Sequence, residues 1–186
     1  MNTSWWQGLR RACGRSLALL VVGGAGGGCV SGSEVLKPPF AQPFEAWRAE
    51  QSIEAEFDVR EEVFYAFNLR FFYNPDQPQD RHRVWDLTGG NRKDAATGEW
   101  VTPGVPLVLR LTVVSMTGGQ PGAVVHDGDI RQPKETSIGS GVLVSRLQAI
   151  KLAPGRFKVT VRSLQDAPSL SGVRTDFQVV RAYMGK

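Results

Sequence analysis

The sequence predicts an all-β fold: an antiparallel, immunoglobulin-like β-sandwich of six or seven strands, with one long loop or short-helix insertion. Three observations predict it. Ile53, Ala55, Phe57 and Val59 alternate with Glu54, Glu56 and Asp58, and Leu107, Leu109, Leu111 and Val113 repeat at the same period of two. That is the pattern of half-buried strands. Residues 63–73 are dense in aromatic and other β-forming side chains. Turn formers recur between these runs, at Gly118-Gly119, Pro121-Gly122, Pro154-Gly155 and across 166–172. A regular series of short strands and turns is the mark of a two-layer β domain.

Residues 1–28 form a leader. Arg10, Arg11 and Arg15 stand without any acidic residue, ahead of the apolar run Leu17–Val22 and a glycine-rich tract that ends at Gly28. A positive end, a short apolar core and small residues at the cut make a secretory signal. The apolar run is far short of the roughly 20 residues that a spanning helix needs. Cys29, directly after the small residues, resembles the lipidated cysteine of the bacterial lipobox, with Gly26 in place of the leucine usual three positions earlier. The resemblance implies lipid attachment at Cys29 and membrane contact through that lipid. The alternatives are an ordinary secreted chain cut nearby, or an uncut tether. Arg10-Arg11 lacks the following apolar pair expected of a twin-arginine signal. Val30, rather than an acidic residue, follows the cysteine, which by resemblance to lipoprotein sorting favours the outer membrane, with the body facing the periplasm.

The leader also accounts for much of the basic character. Taking away 28 residues, three of them basic and none acidic, from a chain of net charge +4 leaves +1. Nucleic-acid binding is therefore not predicted, since it needs basic residues clustered on one face. Cys13 departs with the leader and Cys29 is capped, so no disulfide is expected and the core must hold the fold. Some 150 residues suffice for that.

Residues 29–46 read as a flexible tether, with Ser31-Gly32-Ser33 loose and Lys37-Pro38-Pro39 stiff; Phe40 and Phe44 begin the contact with a β-sandwich domain over 47–186. Within it, 53–59 is the first strand, Glu61-Glu62 a turn and 63–73 a central strand. Tyr65, Phe67, Leu69 and Phe71 share one face of that strand and a mixed set lines the other. Residues 74–104 carry many breakers and room for a short helix within Asp80–Leu87; a connection that long usually has structure or function of its own. Val105–Ser115 is a strand. Residues 123–140 are polar and unassigned, and Gly141–Leu152 is one bent strand or two short ones. Leu152-Ala153-Pro154-Gly155-Arg156-Phe157 is similar to the corner between sheets in immunoglobulin-like sandwiches, with Phe157 able to supply only packing, not a tyrosine hydroxyl. Strands at 157–161 and 175–183 complete the set.

No catalytic constellation stands out. Beyond the leader the histidines are His82 and His126, and neither sits in a Gly-x-Ser-x-Gly or His-Glu-x-x-His context. Gly139-Ser140-Gly141 reads as a turn. His126-Asp127-Gly128-Asp129 lacks the further ligands of a calcium or zinc site and reads as a polar turn driven by Asp-Gly. No metal, cofactor or enzymatic activity is predicted. A hydrolase built on His82 or His126 is the lesser alternative. Glu54, Glu56 and Asp58 share one exposed face, where like charges serve solubility.

The densest charged-aromatic cluster is Asp80–Asp86. Arg and Trp are the types enriched where proteins bind one another. Arg81, Arg83, Trp85 and Trp100, with Asp127 and Asp129, are the candidate contacts for a protein partner. For the cluster, the competing reading is a surface helix whose Trp85 and Leu87 plug the edge of the sandwich.

Five segments together resemble a family of proteobacterial lipoproteins defined only as a domain of unknown function: Glu62–Phe71, Asp80–Leu87, Pro103–Pro106, Leu152–Phe157 and Ser163–Gly172. The resemblance covers about residues 48–181 and implies a lipid-anchored, β-rich body with no assigned activity. The expected function is a membrane-anchored periplasmic protein-binding module, such as an immunity factor or inhibitor of a secreted toxin. The alternative is a structural or assembly lipoprotein of the envelope.

Overall fold

Strand periodicity turns directly into layers. A computed structural model describes residues 34–90 and 92–183; the expected leader, Cys29 and the start of the expected tether lie outside the described residues. The strands are β1 (Phe40–Pro43), β2 (Ser52–Val59), β3 (Val63–Phe72), β4 (Val108–Thr117), β5 (Gln120–Arg131), β6 (Glu135–Gly139), β7 (Val142–Leu152), β8 (Gly155–Ser163) and β9 (Thr175–Arg181). One α-helix, α1 (Pro78–Thr88), follows β3. Five strands form one sheet in the order β1-β9-β3-β7-β6, and four form the other in the order β2-β8-β4-β5. Every strand pairing is antiparallel.

The two sheets close on an aromatic centre. Phe57 of β2 is fully buried, with the rings of Phe40, Phe157 and Phe67 at 5.7, 5.9 and 6.2 Å. Phe67 and Phe57 come from opposite sheets, so this contact joins the layers. The apolar positions expected of 53–59, 63–73 and 107–113 are the ones that face inward. Each fully buried phenylalanine contributes about 1.5–3 kcal/mol by leaving water. β3 is central, flanked by β7 and β9. Its second face is also covered in part: Ala66 and Asn68 are buried while Phe64 is exposed.

β7 is a single strand with a bulge opposite Phe67/Asn68. Only Ala153 and Pro154 separate β7, in the first sheet, from β8, in the second. The Leu152–Phe157 segment is thus the corner between sheets, with Phe157 buried beneath it.

Three expectations are corrected, and one unassigned stretch is resolved. Nine strands occur among the described residues, rather than six or seven. Residues 36–46 are not a leash. Leu36 makes a parallel bridge to Phe57, β1 pairs with β9, and Phe44 and Ala46 are buried. The proline-rich composition suits an extended edge segment as well as it suits a linker, and Phe40 and Phe44 supply the apolar side chains that dock it. The polar stretch 123–140 is two strands, β5 and β6, at sheet edges where exposure removes the apolar alternation. Glu54 and Asp58 do more than serve solubility: antiparallel register with β8 brings Glu54 within 2.6 Å of Lys158, and Asp58 within 3.1 Å of Arg156.

Candidate functional site

The expected contact residues fall on three elements, and local chemistry explains each placement. α1 starts with Pro78, whose fixed φ and missing N–H suit a first turn. Asp80 in that turn complements the helix dipole and accepts the Asn74 backbone N–H at 2.7 Å. Arg83 lies on the next turn, 2.8 Å from Asp80. The Asn74 hydrogen bond, and then the Arg83 guanidinium, hold the Asp80 carboxyl below its ordinary pKa.

The helix is bolted to the sandwich at its far end. Val84 is fully buried, and Trp85 and Leu87 pack against the core. Gly89 closes the helix at φ 81°, its N–H donating to the Trp85 carbonyl at 3.0 Å. Gly104, at φ 75°, comes so near that a Cβ there would sit 2.6 Å from the Gly89 nitrogen. Val105 N–H donates to the Leu87 carbonyl at 2.8 Å. Trp85 is therefore a plug at the sandwich edge, whereas Arg81 and Arg83 are exposed. Arg83 is spent on its own helix.

Trp100 has different company. The ammonium groups of Lys93 and Lys134 each lie 4.8 Å from its ring centroid. Lys134, in the link between β5 and β6, also donates to the Pro103 carbonyl at 2.7 Å. Burial pushes the Lys134 pKa down. These contacts fasten the long 89–107 connection to the sandwich, each cation–π pair contributing about 0.5–1 kcal/mol.

Asp127 and Asp129 lie on β5, not in a turn. They face Thr112 and Arg110 across the β4–β5 register. Arg110 is 2.5 Å from Asp127 and 3.5 Å from Asp129, and Thr112 donates to Asp127 at 2.9 Å. The Arg110 and then the Thr112 hydrogen bonds lower the Asp127 pKa. One guanidinium thus serves two carboxylates. No hydrogen bond or ion pair among the described residues joins these acids to α1 or to Trp100. The six candidates form three separate groups. His82 is exposed on α1, and His126 is on β5, its Nε2 buried with no partner among the described residues. No group of three or more His, Cys, Asp or Glu placed to hold a metal occurs among the described residues.

Two features were not legible as sites. β5 is a twelve-residue edge strand with Val124 and Val125 62% and 40% exposed; β6, the next strand in the chain, is an edge of the other sheet, and its Ile138 is 43% exposed. Clefts of about 460 and 260 Å³ meet at Pro43, Arg174 and Thr175. The outward position of Arg110 between buried Leu109 and Leu111 was readable from alternation. The second feature joins residues more than 100 positions apart and leaves no local signal.

A family model described as Domain of unknown function (DUF5625) matches residues 41–181. The chain belongs to this family. The match runs from the second residue of β1 to the last of β9, so the DUF5625 domain and the two sheets coincide. Among solved structures, a crystal structure of a protein from Sulfurospirillum deleyianum is similar at a TM-score of 0.63 and 17% identity, covering 77% of this chain and 97% of that one. At that identity the likeness concerns the fold. No curated protein matches.

Proposed function

We propose that this DUF5625 protein is a lipid-anchored envelope lipoprotein, attached through Cys29, whose β-sandwich binds a protein partner in the periplasm. The inhibitor or immunity reading is its most specific form. The observation that carries it is the edge strand β5, unpaired on one side among the described residues, with the exposed apolar pair Val124–Val125 next to the neutralised acids Asp127 and Asp129. An edge of this kind offers unpaired backbone donors and acceptors to an incoming strand. The opposite edge, β2, is partly occupied by the chain's own Leu36.

The anchor supports the same reading. Leu36 is held by hydrogen bonds to the Glu56 carbonyl and the Asp58 N–H at 2.8 and 3.0 Å. Only six residues separate it from Cys29, an extended reach of at most about 25 Å over the seven Cα–Cα steps. A lipid there would keep the body against the bilayer, where confinement raises the effective concentration of a membrane-near partner.

The test has two arms. A fatty-acid analogue should label the chain and fail to label Cys29→Ser. A pull-down from membranes with the intact anchor should recover a defined partner in fixed stoichiometry, and Val124→Lys with Val125→Lys should abolish recovery without changing Tm. An unlabelled product that keeps its first 28 residues refutes the anchor, and recovery indifferent to the double lysine variant refutes the edge. Recovery of a large envelope machine in place of one partner would favour the assembly reading.

A further inference from the structure

The two clefts that meet at Arg174 form a groove on the side of the sandwich away from β5. Its floor is fixed. Phe44 N–H donates to the Thr175 carbonyl at 3.2 Å, and the Thr175 hydroxyl donates to the Phe44 carbonyl. One wall is the 43–52 segment with half-buried Trp47, and the other is the 171–174 turn. The combined space falls within the range of ordinary ligand sites.

Phe72 lies in the smaller cleft with two guanidinium groups against it. Arg174 sits 3.8 Å from the ring centroid and Arg70 sits 5.2 Å from it. Their fates differ. Arg70 is gripped by Asp176 through two hydrogen bonds of 2.6 and 2.5 Å. Arg174, exposed and stacked, forms no side-chain hydrogen bond or ion pair with any described residue. Its backbone is pinned as well, since the Phe72 N–H donates to the Arg174 carbonyl at 2.9 Å. A guanidinium held against an aromatic ring, lining a cleft and with no carboxylate of its own among the described residues, suits a planar two-oxygen acceptor.

We propose that this groove binds a segment of a partner polypeptide that carries a single carboxylate, with Arg174 pairing that carboxylate as Arg70 pairs Asp176. The inference adds a second contact to the partner-binding reading and rests on it. A lipid surface fits less well. Membrane attraction needs several basic groups facing one plane, whereas here Arg70 is neutralised and Glu45 and Asp176 also line the clefts. Glu45 disfavours a second acid at the far end, so one carboxylate flanked by neutral or basic residues is the matching chemistry.

The test uses the full chain in neutral detergent and two capped peptides, acetyl-Lys-Ala-Ala-Glu-Ala-amide and its glutamine counterpart. The glutamate peptide should shift the amide resonances of Gly172, Arg174 and Thr175 and the Arg174 side-chain N–H, saturably. The glutamine peptide should bind about tenfold more weakly or worse, which corresponds to about 1.4 kcal/mol. Arg174→Met should remove the difference between the peptides, and Arg174→Lys should restore part of it; both should keep the wild-type Tm. Equal shifts with both peptides, or none, overturn the proposal. So does Arg174-dependent binding to phosphatidylglycerol vesicles in the absence of a peptide response, which would assign the groove to the membrane. Because the partner pull-down reads edge β5, its success alongside a silent groove overturns this inference alone.

Discussion

Glu135 stands opposite Ser145 across β6 and β7, both buried, and neither Glu135 Oε2 nor Ser145 Oγ has a hydrogen-bond partner among the described residues. Glu135 is only 3% exposed, and burial pushes its pKa up. A carboxyl whose folded pKa lies above its unfolded value, about 4.3, favours folding below that value and loses the contribution as pH rises through the folded pKa. Glu135→Gln removes the charge while keeping the shape. It should stabilise the protein at pH 8 by about 1 kcal/mol, with the gain fading toward pH 4. Urea titrations across that range measure it; a gain that persists at low pH means that ionisation is not the cause.

Three acids nearer the surface run the opposite way. Asp80, Asp94 and Asp127 all have lowered pKa values through hydrogen bonds to the Asn74 N–H, to the Thr97 and Ala96 N–H groups, and to Arg110 and Thr112, respectively. Their contribution is present above the unfolded Asp value, near 3.9, and disappears as pH falls through the lower folded values. Asp80→Asn should therefore flatten the acid limb of the stability profile below pH 4. An unchanged limb would remove Asp80 as a contributor.

Trp85 and Arg83 are neighbours in sequence with different work. Trp85→Ala opens a void between α1 and the core and should cost about 3 kcal/mol, whereas Arg83→Ala should stay within about 0.5 kcal/mol. Thermal melts of the two variants decide between a structural and a contact role for this cluster. Equal, small shifts would return Trp85 to the list of contact residues.

Phe40 tests where the body begins. It packs at 5.7 Å on Phe57 from a strand paired with β9. Phe40→Ala should cost about 2 kcal/mol, read from the urea midpoint. A free leash would leave that midpoint unmoved.

Much of the sandwich was legible because burial writes a period of two into the sequence. Phe57, Leu109 and Phe67 each fall on the inward beat of their strands, and the turn at Pro154-Gly155 falls where the chain changes sheets. β5 was not legible. An edge strand on the surface needs no apolar face, and Asp127-Gly128 carries the same residues that make turns. β1 was hidden for a related reason: Pro39 and Pro43 mark linkers and sheet edges alike, and only the distant partner β9 distinguishes the two. The candidate contacts were chosen by residue type, and the structure does not gather them into one constellation. Proximity in sequence placed Arg83 and Trp85 together, yet the helix turns one outward and the other in. Arg174 and Phe72 lie 102 residues apart, so their stacking is set by strand order alone.

The first described stretch passes from one layer to the other: Leu36 pairs with β2, and four residues later β1 pairs with β9. Tension arriving from the chain ahead of Leu36 would be shared by both layers rather than peeling one of them. The bridge at Leu36 is isolated, whereas β1 holds β9 over four paired residues, so β1 is the stronger of the two holds. If the proposed anchor fastens the chain ahead of Leu36, these two holds are where a pull on that anchor would reach the folded body.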